Sequence, residues 1–344
     1  MSGDRCKNCS RLIIAEESTT CKKCGKPLHK DCAVKTRNGH FCDVCFETKE
    51  ETIEHPKLPQ SIRRSYLDEY ESCPYSAYLD IVKGIELPGS SFAEVGITLH
   101  ETFDMFYQEL HEPTEKMLID DFKRNFEMIK NESFEFGLML FKEKTLEQHK
   151  EDMYNVGLTS ISNFLKLNDE HKMVANRRLI ETEKKIVFSI GEEYPEVQIT
   201  LDRLDEVDGE LELIDYKTGN VMVGRDLQDN LQVPLYIYAV EQHYKRPVKR
   251  FVLHYLNDDK VRIYNRVDDD TFRCDVRGRW YIIKLSTTIQ RVKVIFDNMK
   301  KGKWSVPTDF KSMYFKCKTC SKKHYGYCDG AESQVWKTVD EFKW

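Results

Sequence analysis

The chain has 344 residues, a formal net charge of −5, 32% charged and 40% hydrophobic residues, and twelve cysteines. That length suits one large domain beside a small one, and no apolar run is long enough to cross a bilayer. The opening stretch MSGDRCKNCS shows no signal-peptide core, and most cysteines fall in C-x-x-C pairs. An intracellular, cytoplasmic protein is therefore expected, nucleoid or nucleus included, with metal rather than disulfides as the use of its thiols.

Residues 1–50 are rich in Cys, Lys and turn formers and too poor in large apolar residues for a core of their own. Residues 51–60, ETIEHPKLPQ, read as a linker. From Ser61 to about residue 175 the pattern is helical, as in SYLDEYESCPYSAYLDIV and FAEVGITLHETFDMFYQEL, with apolar residues three and four apart. Residues 182–267 switch to strands: EKKIVFSI, EVQITLDRLDEV and ELELIDYKT, then RFVLHYL and KVRIYNRV around a turn at Asn257–Lys260. A helix at LQVPLYIYAVEQHY separates the strand groups, and a long helix is expected over about 278–301. The order predicts an α/β domain over 61–330 with a mixed central sheet flanked by helices and a helical insertion, leaving 331–344 as a tail.

Charge is unevenly spread. Residues 51–240 sum to about −18 and residues 241–330 to about +11. HYKRPVKRF, RCDVRGRWYIIK and MKKGKW interleave aromatics with Lys and Arg, the composition of surfaces that track phosphates and stack bases. No G-x-x-x-x-G-K-[ST] loop occurs, so any motor function would come from a partner.

The chemistry concentrates in LDRLDEVDGELELIDYKTG. Asp208-Gly209 is a strong two-residue hairpin turn, and such a turn sets Asp202 directly opposite Asp215. Facing β-carbons would stand ~5 Å apart, and two carboxylates so close need a cation between them. Mg²⁺ or Mn²⁺ is the simplest candidate for an oxygen-rich site. Lys217 shares the face of Asp215, where it meets water or phosphate at the same place. The same register sets Asp205 against Glu212, a second repulsive pair, expected to be solvated near the turn or relieved by a bulge.

Asp202, Asp215 and Lys217 resemble the D-x(12)-D-x-K signature of PD-(D/E)XK nucleases of the RecB type. Gly96-x-x-x-His100 in GITLH is similar to the motif whose histidine is a further metal ligand. Gln232-x-x-x-Tyr236 in LQVPLYIYA is similar to the family's Q-x-x-x-Y helix after the sheet. All fall in the family's order across residues 65–330. One position departs: Ile199 stands where the family often has Gly three residues before the first Asp. The resemblance implies a restriction-endonuclease-like core in which His100, Asp202, Asp215 and the carbonyl of Tyr216 bind Mg²⁺ or Mn²⁺. It makes Lys217 the residue that orients the attacking water, and Gln232 and Tyr236 the holders of the scissile nucleotide, with Glu183 in a supporting role.

Two cysteine systems remain. Cys73 in ESCP and Cys317, Cys320 and Cys328 in CKTCSKKHYGYC supply four thiolates, enough for a structural zinc or an iron–sulfur cluster. The arrangement resembles the [4Fe-4S] staple of AddB-type nucleases, which implies a cluster closing the two ends of the domain. Near the N-terminus, Cys6, Cys9, Cys21, Cys24, His29, Cys32, Cys42 and Cys45 make four pairs, the complement of two zinc ions. Their order resembles cross-braced PHD and RING-like fingers. By that resemblance Cys6, Cys9, His29 and Cys32 hold one ion, and Cys21, Cys24, Cys42 and Cys45 the other. Cys274 has no partner in sequence.

The expected function is a metal-dependent DNA nuclease, an exonuclease on ends or single strands, serving repair, recombination or processing. A helicase or another protein is the expected partner of the finger. The alternative is a non-catalytic zinc-finger adaptor on a nuclease-like scaffold, which would have no need of a repulsive aspartate pair.

Overall fold

The computed structural model describes residues 18–22, 25–30, 33–36, 39–41, 57–108, 113–139, 144–306, 317 and 320–328. By contacts the chain forms two compact units, one of residues 57–300 and one of 1–56 with 301–344. In the smaller unit, β1 (Ser18–Thr20) pairs with β2 (Pro27–His29) and β3 (Val34–Thr36) with β4 (Gly39–Phe41), both antiparallel. Cys21 is buried in the turn that follows β1, where Gly25 N donates to its carbonyl and its own amide to Lys26 O. Of the eight proposed zinc ligands only Cys21 and His29 lie within the described residues.

The larger unit opens with β5 (Ser61–Arg63), followed by α1 (Arg64–Ser72), α2 (Pro74–Ile81), α3 (Ser91–Gln108), α4 (Glu115–Glu127), α5 (Asn131–Leu138) and α6 (Leu146–Lys172). The helices begin where local chemistry says they should. Pro74 stands at the first position of α2, where its missing N–H costs nothing. Thr145 and Gln148 close a capping box at the start of α6. The strand at Ser61–Arg63, where helix was expected, forms because Ile62 is buried at 1% exposure and pairs in parallel with the edge of a later strand. That pairing is wholly non-local and leaves no local pattern.

Three strands follow: β6 (Arg177–Phe188), β7 (Glu196–Val207) and β8 (Glu210–Lys217). After α7 (Asp226–Asp229) and α8 (Gln232–Tyr244) come β9 (Val248–Tyr255), β10 (Lys260–Arg266), β11 (Thr271–Val276) and β12 (Arg279–Lys284). Helix α9 (Leu285–Lys300) ends this unit, and α10 (Ser321–His324) lies in the other. The long helix expected from 278 thus starts at Leu285. Arg277 and Gly278 both take positive φ and turn the chain between β11 and β12, and the aromatic and β-branched run RWYIIK suits a strand.

The sheet runs β12-β11-β10-β9-β8-β7-β5, with β6 also on β7. Pairing is antiparallel except β8 with β9 and β5 with β7, so this is the mixed α/β architecture expected from the element order. One face of β8, through Ile214 and Tyr216, packs under α3–α6 in a core rich in aromatics, among them Phe103, Phe122, Phe134 and Phe164. The other face meets α8, which packs on β6, β7 and β9, while α9 packs on α8 and α1. No described helix is long and apolar enough to cross a membrane.

Candidate active site

The β7–β8 turn is the one the dipeptide demands: Asp208 and Gly209 have φ of 51° and 81°. The register runs from Val207↔Glu210 to Arg203↔Ile214, which places Asp202 across from Asp215. On its other side β7 pairs with β6 through Thr182↔Arg203 and Lys184↔Leu201, so Glu183 also comes across from Asp202. Glu183 has φ of 43° inside a strand, a strained setting for a residue with a side chain. Three carboxylates therefore stand in a row on three strands. Because β6 occupies one edge of β7, β5 and β8 share the other, at residues 196–198 and 203–207. Asp202 sits at the rim of the notch left between them.

Helix α3 delivers His100 to this row. Its Nδ1 is 3.5 Å from Asp202 Oδ1 and 3.6 Å from Glu183 Oε1. Gly96, one turn earlier, permits the approach: a Cβ there would stand 3.3 Å from Thr218 Oγ1, just past the end of β8. Among the described residues, His100, Glu183 and Asp202 offer ligand atoms within 4.8 Å of one another, a grouping that could hold a metal ion. Asp202 Oδ2 accepts from the amide of Tyr216 at 2.6 Å. Asp215, 2% exposed, accepts at Oδ1 from Gln232 Nε2 at 2.5 Å, and Lys217 Nζ lies 2.6 Å from its Oδ2. Gln232 thus holds a carboxylate in place. Tyr236, one turn along α8, is also buried.

The electrostatics show an excess of negative charge. Burial opposes a charged His100, yet Asp202, Glu183 and Asp215 outweigh it and raise the imidazole to about 9. Burial lifts Asp202 to about 7, with His100 and Lys217 opposing and Asp215 and Glu183 adding to the rise. Groups that hold protons this firmly are short of a cation, and a mixed His/carboxylate donor set is one that Mn²⁺ or Mg²⁺ accepts.

The second facing pair behaves differently from expectation. Asp205 and Glu212 are in register and buried, not solvated or bulged apart. Arg177 reaches Asp205 Oδ2 at 2.5 Å and Glu212 Oε1 at 2.7 Å, Arg203 holds both oxygens of Asp205, and Arg250 pairs with Glu212. The basic stretches are likewise partly consumed internally, since Arg246, Lys249 and Arg266 pair with Glu206, Glu210 and Glu241. Arg273 stacks 4.8 Å over the exposed Trp280 ring.

Of the four cysteines expected to hold a cluster, Cys73 joins α1 to α2, and Cys320 precedes α10. Cys317 and Cys328 are also among the described residues, and none of these four forms a disulfide. Cys274 is fully buried in β11.

A mixed sheet flanked by helices, with acidic residues and a lysine gathered where two strands part, is the architecture of restriction-endonuclease-like enzymes. The profile of the PD-(D/E)XK nuclease superfamily matches residues 64–325, and the chain belongs to that superfamily. Nucleases of this superfamily use divalent metals such as Mg²⁺ or Mn²⁺. A solved structure, that of SSO0001, matches at 14% identity and a TM-score of 0.29, over 68% of this chain and 96% of that one. No curated protein matches.

Proposed function

We propose that the chain is a RecB/AddB-like deoxyribonuclease that hydrolyses phosphodiester bonds at DNA ends or in single strands, in repair, recombination or processing. The observation that supports this most is the meeting of Asp202, Asp215 and Lys217 with His100 and Glu183 at one notch of the sheet. His100, Asp202, Asp215 and the carbonyl of Tyr216 would hold the ion, and Glu183 stands close enough to join them. When bound, a divalent cation supplies Lewis acidity and charge neutralisation at the phosphate. Lys217 orients the attacking water and offsets charge on the pentacoordinate phosphorus. Gln232 fixes Asp215 in its productive rotamer, and Tyr236 walls the nucleotide side.

In this reading the nuclease domain spans 61–330, with Cys73, Cys317, Cys320 and Cys328 holding a [4Fe-4S] cluster. Residues 1–50 form a double-zinc finger for a protein partner, a helicase among the candidates, and the enzyme works inside the cell. The test is cleavage of end-labelled single- and double-stranded DNA with Mg²⁺ or Mn²⁺. Asp215→Ala is expected to lower the rate on the order of 10³-fold while DNA still binds. Equal cleavage by the variant, or none by the wild type, would favour the adaptor instead. For the cluster, anaerobically purified protein should be brown and lose that colour in Cys320→Ser; a colourless, zinc-only protein would overturn it.

A further inference from the structure

Arg64 opens α1 directly after β5. Because β5 and β8 share one edge of β7, with residues 199–202 left between them, the start of α1 borders the same notch as Asp202 and Asp215. The Arg64 guanidinium stands 5.9 Å from the centre of the Tyr236 ring. Tyr236 is one turn along α8 from Gln232, whose amide holds Asp215. Burial works against charge on Arg64, but Asp68, then Tyr236 and Asp215, outweigh it.

The protein itself uses only part of the guanidinium. Its Nη1 pairs with Asp68, one turn along α1, and the Tyr236 side chain is a further hydrogen-bond partner, while its Nε is buried without one. A guanidinium offers five N–H donors in a rigid fork, and a buried donor left unmade is costly. On the far face of the sheet, by contrast, Arg203 finds partners for Nε, Nη1 and Nη2 within the fold. Asp68 also feels the charges of Arg291 and Lys217, so one carboxylate serves cations on both sides. A nucleic-acid strand approaching Glu183, Asp202 and Asp215 meets like charge, and cations beside the row are what offset it.

We infer that Arg64 is a phosphate-binding residue: with Lys217 and the Tyr236 ring it forms a subsite for a backbone phosphate next to the scissile one. Asp68 is its counter-ion until the strand arrives. The planar fork matches two phosphate oxygens at once, which an ammonium does not. This assignment rests on the nuclease reading above.

The full-length protein tests it. A fluorescein-labelled single-stranded oligonucleotide is bound in the presence of Ca²⁺ and titrated with salt, and cleavage is followed with Mn²⁺. Arg64→Gln is expected to raise KM and Kd about ten- to a hundredfold and to reduce the salt slope of binding by about one. The Mn²⁺ dependence and Tm should stay at wild-type values. Arg64→Lys should recover the salt slope but only part of the affinity. Asp68→Asn, which frees the arginine, should tighten binding, whereas a purely structural ion pair would give weaker binding and a lower Tm.

A wild-type KM and salt slope in Arg64→Gln, or losses that follow Tm, would overturn the assignment while leaving the nuclease reading intact. If Asp215→Ala cuts as well as wild type, the catalytic reading falls and the salt slope still decides Arg64. A wild type that binds no nucleic acid overturns both.

Discussion

The β7–β8 hairpin carries two pairs of facing carboxylates, one on each side of the sheet, and the protein compensates them in opposite ways. Asp205 and Glu212 face α6 and receive three arginines, Arg177, Arg203 and Arg250, so every charge there is met by another side chain. Asp202 and Asp215 face α8 and receive no arginine ion pair, only Lys217 and the imidazole of His100, with a third carboxylate, Glu183, added to the row. Two histidines record the difference. His171 is lowered to about 3 by burial first and then by the neighbouring Arg203 and Arg177. His100, among the carboxylates, is raised to about 9. One pair is therefore a closed structural network and the other an open site short of positive charge. A repulsive pair in a sequence does not by itself mark chemistry; what matters is whether the fold brings arginines to it.

The comparison is broken most directly by swapping the consequences of mutation. Lys217→Ala should lower cleavage on the order of 10³-fold with a smaller loss of Tm than Arg203→Met, because the lysine is a quarter exposed and pairs with one carboxylate oxygen, Asp215 Oδ2. Arg203→Met should do the reverse. Arg203 binds both oxygens of Asp205, the Asn168 amide oxygen and the Tyr107 hydroxyl. Removing it leaves a buried carboxylate with one cation fewer, expected to cost about 3–5 kcal/mol in urea unfolding. The residual folded enzyme should retain its metal dependence. If Arg203→Met were stable but inactive, or Lys217→Ala unfolded, the division between the two faces would be wrong.

Much of this was legible in the chain and some was not, for reasons that differ by residue. Asp208-Gly209 dictates its own turn, so the register that sets Asp202 opposite Asp215 could be counted directly. The alternation of a strand put Lys217 on the same side. Glu183 was readable only as a supporting residue, because its place depends on a long β6–β7 connection whose register no short turn dictates, and on an unusual φ. Arg177 and Arg203 were invisible as a clamp, since Arg177 lies on β6, nearly thirty positions from Asp205. Arg64 was hidden for the same reason as β5: its position follows from a parallel pairing with no local pattern. The hairpin at Arg277-Gly278 carried a usable signal, two turn residues before an aromatic, β-branched run, and the helix expected there began seven residues too early.

The smallest effect sharpens the cation-rich side. His171 Nδ1 is buried without a hydrogen-bond partner and its ring is neutral in the folded protein. In the unfolded chain it titrates near the ordinary value of about 6.5. Between about 6.5 and the folded value of about 3 the unfolded state holds a proton that the native state refuses. Stability must then fall as pH drops through 6.5, and the loss should keep growing until the folded ring itself protonates. His171→Gln removes that titration without adding a charge. Urea midpoints at pH 7 and pH 5 are expected to fall less between the two conditions in the variant than in the wild type. An equal fall in both would mean that the arginines of this face do not control the ring beside them.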